Sequence, residues 1–197
     1  MTIIYFVRHG TTDYSGKRLS GNNPGIHLNL TGRTQAERIS SFFENIPIIA
    51  IYSSPLERAI ETAMPTADQK NLSINRVDFL REINFGDYQG MGEELRQDPL
   101  WNSFLTTPTM IRFPNGESVA QAQKRVTEGL NDICVNSPEV EEIVCVAHCE
   151  IIRLAIACAL QMPLDEFMRL TVNTGSISKV AWSGSRQIVH FLNHSPV

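Results

Sequence analysis

Three apolar runs each end in residues able to handle a phosphoryl group. Residues 2–7 run into Arg8, His9 and Gly10. Residues 48–52 run into Ser53, Ser54 and Pro55, with Arg58 close behind, and residues 142–147 run into His148. An arginine keeps its charge at any physiological pH, and its planar fork matches the oxygens of a phosphate. A neutral histidine is a nucleophile, and a protonated one donates to an oxyanion. Phosphoryl transfer requires in-line attack and stabilisation of the charge on three equatorial oxygens. Arg8, Arg58 and His148 have the chemistry for that stabilisation without a metal, and His9 has the chemistry to attack phosphorus. A leaving alkoxide also needs a proton, and a carboxylic acid with a pKa raised by burial can supply it. The candidates are Asp13, Glu82, Asp87 and Glu150, and position alone does not choose among them.

Singly, each of these residues is ordinary: an arginine in a loop is usually a solvated charge. Their common placement at strand ends is what carries the argument, so the elements matter. The β-branched and aromatic residues 2–7 read as a buried strand. Ala36, Ile39, Phe43 and Ile46 share a helix face, with Thr31 as its expected N-cap and Pro47 as its end. Residues 48–52 read as a second strand. Ser54 and Pro55 have the cap and first-position chemistry of a second helix, whose inner face is Leu56, Ala59, Ile60, Ala63 and Ala67. Residues 74–77 read as a weaker strand, 117–133 as a long helix, 142–147 as an apolar strand and 151–160 as a buried helix. Residues 176–182 and 187–192 read as a hairpin turning at Ser183-Gly184-Ser185-Arg186.

Strands alternating with helices predict an α/β fold: a three-layer αβα sandwich with a mostly parallel central sheet and a C-terminal antiparallel hairpin. In such sheets sites lie beyond the carboxyl ends of the strands, so the three loops are expected to converge on one rim. One domain, residues 1–197, is expected. Residues 78–117, with several Gly and Pro, are expected to form short helices and loops covering the active site.

The chain has 197 residues, 42% hydrophobic and 19% charged, with a formal charge of −4. That length supports a large core without disulfides or a structural metal. The acidic balance argues against nucleic acid and against an anionic membrane surface as partners. Of 17 basic residues, 13 are arginine, a weak bias toward planar oxyanion recognition. Neither a signal-type h-region nor a membrane span is legible, so a cytoplasmic location is expected. Cys134, Cys145, Cys149 and Cys158 lack CxxC spacing and read as reduced, buried thiols. For Cys149 two readings stand open: an inert thiol, or one whose pKa is lowered by the cations next to it and which is oxidisable.

Ordered motifs across nearly the whole chain resemble the histidine phosphatase superfamily, also called phosphoglycerate-mutase-like. Phe6-Val7-Arg8-His9-Gly10 resembles its opening signature, and Arg18-Leu19-Ser20-Gly21 its substrate loop. Leu30-Thr31-Gly32-Arg33-Thr34-Gln35-Ala36 is similar to a third motif. The stretch Ser53-Ser54-Pro55-Leu56-Glu57-Arg58-Ala59 is similar to a fourth. Leu80-Arg81-Glu82-Ile83-Asn84-Phe85-Gly86, Pro114-Asn115-Gly116-Glu117-Ser118 and Val146-Ala147-His148 complete the series.

The resemblance implies a histidine, His9, that carries the phosphoryl group. It implies a phosphate pocket of Arg8, His9, Arg58 and His148, and Glu82 as the proton donor. It implies no metal and no organic cofactor. Departures from the family pattern fall where the rest of the substrate should sit: Thr11-Thr12, Ser15, the added His27, and Cys149-Glu150 after the second histidine. Thr11, Ser15, Ser20, Gly21 and Cys149 are therefore the expected substrate-binding positions. The expected function is hydrolysis of a small phosphomonoester through a phosphohistidine. The alternatives are mutase-type phosphoryl transfer, as in a phosphoglycerate mutase, or a non-catalytic phospholigand-binding domain. A homodimer is the default expectation for assembly.

Overall fold

The computed structural model describes residues 1–135, 141–184 and 186–197. Among these the chain order is β1 (Thr2–Arg8), α1 (Leu30–Phe43), β2 (Ile48–Ser53), α2 (Glu57–Lys70) and β3 (Ile74–Arg76). There follow α3 (Pro99–Thr106), α4 (Val119–Val135), β4 (Glu142–Ala147), α5 (Cys149–Ala159), β5 (Ile177–Trp182) and β6 (Gln187–His194). Short 3-10 turns fill much of the stretch between β3 and α4, beginning at Asp78–Leu80, Gly86–Tyr88, Glu93–Gln97 and Pro108–Met110.

The strands form one sheet in the order β3-β2-β4-β1-β5-β6. β3, β2, β4 and β1 are mutually parallel, and β5 and β6 add an antiparallel pair. This is the expected αβα sandwich with its C-terminal hairpin; Ser185 of the expected turn lies outside the described residues.

Alternation along the strands explains the layers. Tyr5, Val7, Val144 and Val146 pack on one face with Ile39 and Phe43 of α1 and Ala59 and Ala63 of α2. Ile4, Phe6, Ile143, Cys145 and Ala147 pack on the other with α4 and α5. Both faces of β1 and β4 are therefore buried, as a parallel sheet requires.

Register sets the rim. Arg8 pairs with Ala147, and Ser53 pairs with Val146, so β1, β4 and β2 end level with one another. The ladder continues one residue beyond the strands: His9 N–H donates to the Ala147 carbonyl (3.0 Å) and Ser54 N–H to that of Val146 (2.9 Å).

Several expected boundaries move. Asn29, not Thr31, caps α1, its side chain accepting from Gly32 N–H (3.0 Å). The same helix stops at Phe43, ahead of Pro47, because Glu44 and Ile46 already turn back onto Ser41 and Phe43. The second helix begins at Glu57 with Leu56 as cap, so Ser54 and Pro55 precede it. The fifth helix begins at Cys149, which places Cys149 and Glu150 in its first turn.

Candidate active site

Local packing shapes the loop after β1. Gly10 and Gly32 meet backbone to backbone: a Cβ on Gly32 would stand 2.1 Å from the Thr11 carbonyl oxygen. Gly10 N–H donates to Thr62 Oγ1 of α2 (3.0 Å). Thr11 is held by Gln35, whose Oε1 accepts from Thr11 N–H (2.8 Å), and lies 2.9 Å from Thr174 Oγ1. Ser15 Oγ accepts from Thr12 N–H (3.0 Å). The hydrogen bonds of Thr11 and Ser15 thus hold the loop itself.

His9 sits in this loop, buried, with its ring 5.1 Å from that of His148. His9 Nδ1 lies 2.8 Å from the Gly10 carbonyl oxygen. A carbonyl only accepts, so Nδ1 carries the hydrogen and Nε2 keeps its lone pair. Burial, and then the charges of Arg58 and Arg8, hold the His9 pKa well below its usual 6.5, against the opposing Gly10 bond. Neutral His9 with a free Nε2 is a nucleophile.

His148 is fully buried. Its Nε2 lies 2.8 Å from Ser54 Oγ, which also accepts from Leu56 N–H (3.4 Å). The 2.8 Å bond suits either ring tautomer: Nε2–H donating to Oγ, or the hydroxyl donating to Nε2 with the ring hydrogen on Nδ1. Burial first, then Arg58, His9 and Arg8, keep this ring neutral as well.

Arg58 projects from the first turn of α2 and is fully buried. It donates to the main-chain carbonyls of Gly21 (2.7 Å) and Asn23 (3.2 Å). Burial lowers its pKa to about 10, so it stays charged at neutral pH. Arg8 donates to the Val172 carbonyl (2.6 Å). Three nitrogens of this cluster, Arg8 Nε, Arg58 Nε and His148 Nδ1, are buried and have no hydrogen-bond partner among the described residues. A buried unsatisfied donor costs about 1–3 kcal/mol, more when charged. A tetrahedral oxyanion would satisfy the two guanidinium donors, and His148 as well when its ring hydrogen is on Nδ1.

Glu82 reaches the site from the segment between β3 and α4. It is buried, and its Oε1 accepts from Ile83 N–H (2.9 Å). Burial first, then Glu150, raises its pKa well above the usual carboxyl range, while the Ile83 bond and Arg58 oppose the shift. Arg125 of α4 fixes the backbone here, donating to the carbonyls of Phe79 (2.8 Å) and Glu82 (3.2 Å). It also pairs with Glu117 (2.7 Å), whose carboxylate accepts from Asn84 N–H (3.0 Å). At Gly86, φ is +55°, and a Cβ would stand 1.8 Å from the Pro114 carbonyl oxygen.

The remaining expected positions divide. Gly21, at φ +50°, lends its carbonyl to Arg58, and Ser20 O accepts from Asn23 N–H in the same turn (3.2 Å). His27 is paired with Glu61 of α2. Asp13 and Asp87 are engaged with Asn29 and Asn115 respectively. For Cys149 the lowered-pKa reading is corrected: burial, and then Glu150, push its thiol up to about 12, outweighing Arg8 and Arg153. Among the described residues no group of three or more His, Cys, Asp and Glu is arranged to hold a metal ion.

Sequence reasoning missed Ser54 as the partner of His148, and Thr62, Gln35, Val172 and Thr174 as supports of the loop. It also missed Arg125 as the clamp on the Glu82 segment. No periodicity marks these residues: Glu117 precedes α4 and stands eight residues from Arg125.

Residues 4–195 match the family model of the histidine phosphatase superfamily, branch 1. The chain belongs to that superfamily. A mycobacterial glucosyl-3-phosphoglycerate phosphatase solved with VO3 superimposes with a TM-score of 0.89 at 26% identity, covering 98% of this chain and 99% of that one. A phosphoserine phosphatase of Entamoeba histolytica, solved as a histidine-to-alanine mutant with phosphoserine, gives 0.87 at 27% identity, covering 99% and 98%. The chain is also 27% identical to a "Probable phosphoglycerate mutase GpmB" of Erwinia tasmaniensis, over 91% of this chain and 85% of the relative.

Proposed function

We propose that this chain is a phosphatase that hydrolyses a small phosphomonoester through a phosphohistidine on His9. The observation that carries the reading is the set of buried nitrogens on Arg8, Arg58 and His148 that have no hydrogen-bond partner among the described residues, beside a neutral His9. The phosphatases among its structural neighbours support it.

In the first half, the phosphoryl oxygens lie against Arg8, Arg58 and His148, which take up the charge of the transition state. His9 Nε2 attacks phosphorus as the P–O ester bond breaks. The electron pair leaves on the ester oxygen, which takes the proton of Glu82. In the second half, water attacks phosphorus and gives its proton to Glu82. The P–N bond breaks, and its electron pair returns to Nε2. All of this chemistry is assigned to the chain's own residues, with no metal and no organic cofactor.

The test is rapid quench with a 32P-labelled phosphomonoester, followed by assay for inorganic phosphate and for 2-/3-phosphoglycerate interconversion. We expect label on His9, chased into inorganic phosphate, and loss of turnover in His9→Ala by about 10³-fold or more. Interconversion without phosphate release would establish the mutase reading instead. Full activity in His9→Ala would overturn both.

A further inference from the structure

Residues 16–19 and 92–101 enclose a cavity of about 350 Å³ whose lining includes none of Arg8, His9, Arg58, Glu82 and His148. Leu19 and Trp101 give it an apolar wall. Asp98 accepts from Trp101 N–H (2.8 Å), and the indole packs on Phe85 (centroids 5.9 Å apart) and Phe104 (5.2 Å). Charge around the cavity is uneven. Lys17, Arg18 and Arg96 line it, against the single carboxylate of Glu93. Arg18 Nη1 leans on the Gly90 carbonyl (3.5 Å). The Lys17 ammonium and the Arg96 guanidinium have no hydrogen-bond or ion-pair partner among the described residues. On a chain of formal charge −4, two unpaired cations beside an apolar wall suit a ligand with an apolar body and a negative charge.

Both walls continue segments that reach the phosphate site. Leu19 runs into the Ser20–Gly21 turn, and the Gly21 carbonyl accepts from Arg58 (2.7 Å). Residues 92–101 extend the segment that carries Glu82. Each wall holds the other: Leu19 N–H donates to the Met91 carbonyl (2.8 Å), and Gly90 N–H donates to that of Leu19 (2.7 Å). Arg58 is fully buried, whereas Lys17 and Arg96 are exposed. The exposed pair therefore suits a part of the substrate away from the reacting phosphorus.

We propose that this cavity receives the alcohol part of the substrate, and that Lys17 and Arg96 select a phosphomonoester whose alcohol joins a flat apolar body to a second acidic group. The assignment rests on the phosphatase reading and adds its substrate class. Leu19 and Trp101 cover the apolar body, and the two cations meet the second acid. Glu93 acts with the opposite sign, repelling it. Because both cations are exposed, their pull is modest and weakens with salt.

The experiment compares kcat/KM for 4-carboxyphenyl phosphate and 4-carbamoylphenyl phosphate, which match in size and differ by one charge. It uses the wild type, Glu93→Gln and the double variant Lys17→Met/Arg96→Met, at low and high salt. We expect the wild type to favour the carboxylate about fivefold at low salt. The ratio should fall to about one in the double variant and at high salt, and rise in Glu93→Gln. Because the readout is a ratio within each variant, a general loss of active protein does not move it. A wild-type ratio of one or less, or a ratio unchanged in the double variant, overturns the proposal. Tryptophan fluorescence of His9→Ala, titrated with the same two esters, reads binding without turnover. Of the two tryptophans Trp182 is fully buried and Trp101 is partly exposed, so quenching reports on this cavity. Tighter binding of the carboxylate supports the proposal, and equal binding overturns it. Hydrolysis of both esters by His9→Ala would sink the phosphohistidine reading. An inactive His9→Ala with a wild-type ratio of one sinks only the assignment of the cavity.

Discussion

The rim formed by β1, β2 and β4 and the segment between β3 and α4 each deliver residues to one site, by different physics. On the rim, backbone register does the placing. Arg8–His9, Ser54–Arg58 and His148 each follow a parallel strand, and the three strands end level. In the other segment no strand and no long helix sets the position. Glu82 is placed by one cation, Arg125, clamping two carbonyls and Glu117, and by the close packing of Gly86 against Pro114. A rim set by strand register thus carries the groups proposed to bind phosphate and attack. A segment held by a few polar contacts carries the group proposed to gain and lose a proton.

The sharpest way to break that division is Arg58→Ala. It removes a buried rim cation, and kcat/KM should fall by about 10²–10³-fold on every phosphomonoester, whatever the leaving group. Equal activity on p-nitrophenyl phosphate and an alkyl ester, relative to wild type, would show that the loss is phosphate stabilisation alone.

On the other side, Glu82→Gln should cost about 10²-fold on an alkyl phosphate and far less on p-nitrophenyl phosphate. Equal slowing on both would count against Glu82 as the acid. Arg125→Met tests the clamp. We expect about a tenfold loss on the alkyl ester, with inhibition by inorganic phosphate nearly unchanged, because the rim keeps its register.

The smallest effect concerns pH. Burial and the two arginines depress the His9 pKa. A depressed base remains unprotonated as pH falls through its ordinary value, so kcat/KM should hold its plateau through about 6.5 and fall only at pH well below that. In Arg58→Ala one depressing charge is gone, and the acid limb of the residual activity should move up toward 6.5. A wild-type limb above 6.5 would contradict a depressed nucleophile.

How much of this was legible in the residues follows the same division. Strand 2–7, the apolar run 143–147 and the hairpin were readable because a buried strand needs little beyond its own side chains. Helix starts were not. Asn29 capped the first helix in place of Thr31, and Ser54 was drawn off to His148. Either serine or threonine chemistry suits a cap, and only the tertiary partner decides which hydroxyl is free to serve. Cys149 shows the limit most clearly. Its cationic neighbours suggested a lowered pKa, but desolvation outweighs them, and desolvation depends on how α5 is buried.

The sequence by itself placed Arg8, His9, Arg58 and His148 at one edge, because periodic strands and the carboxyl-end rule project them there. It singled out Glu82 only through resemblance. What the tertiary structure decided is the state of each group: which nitrogen of His9 holds the hydrogen, which buried nitrogens of Arg8, Arg58 and His148 lack a partner among the described residues, and how deeply Glu82 is buried. Those are properties of contacts between residues far apart in the chain, set by burial and non-local hydrogen bonds that no local pattern records.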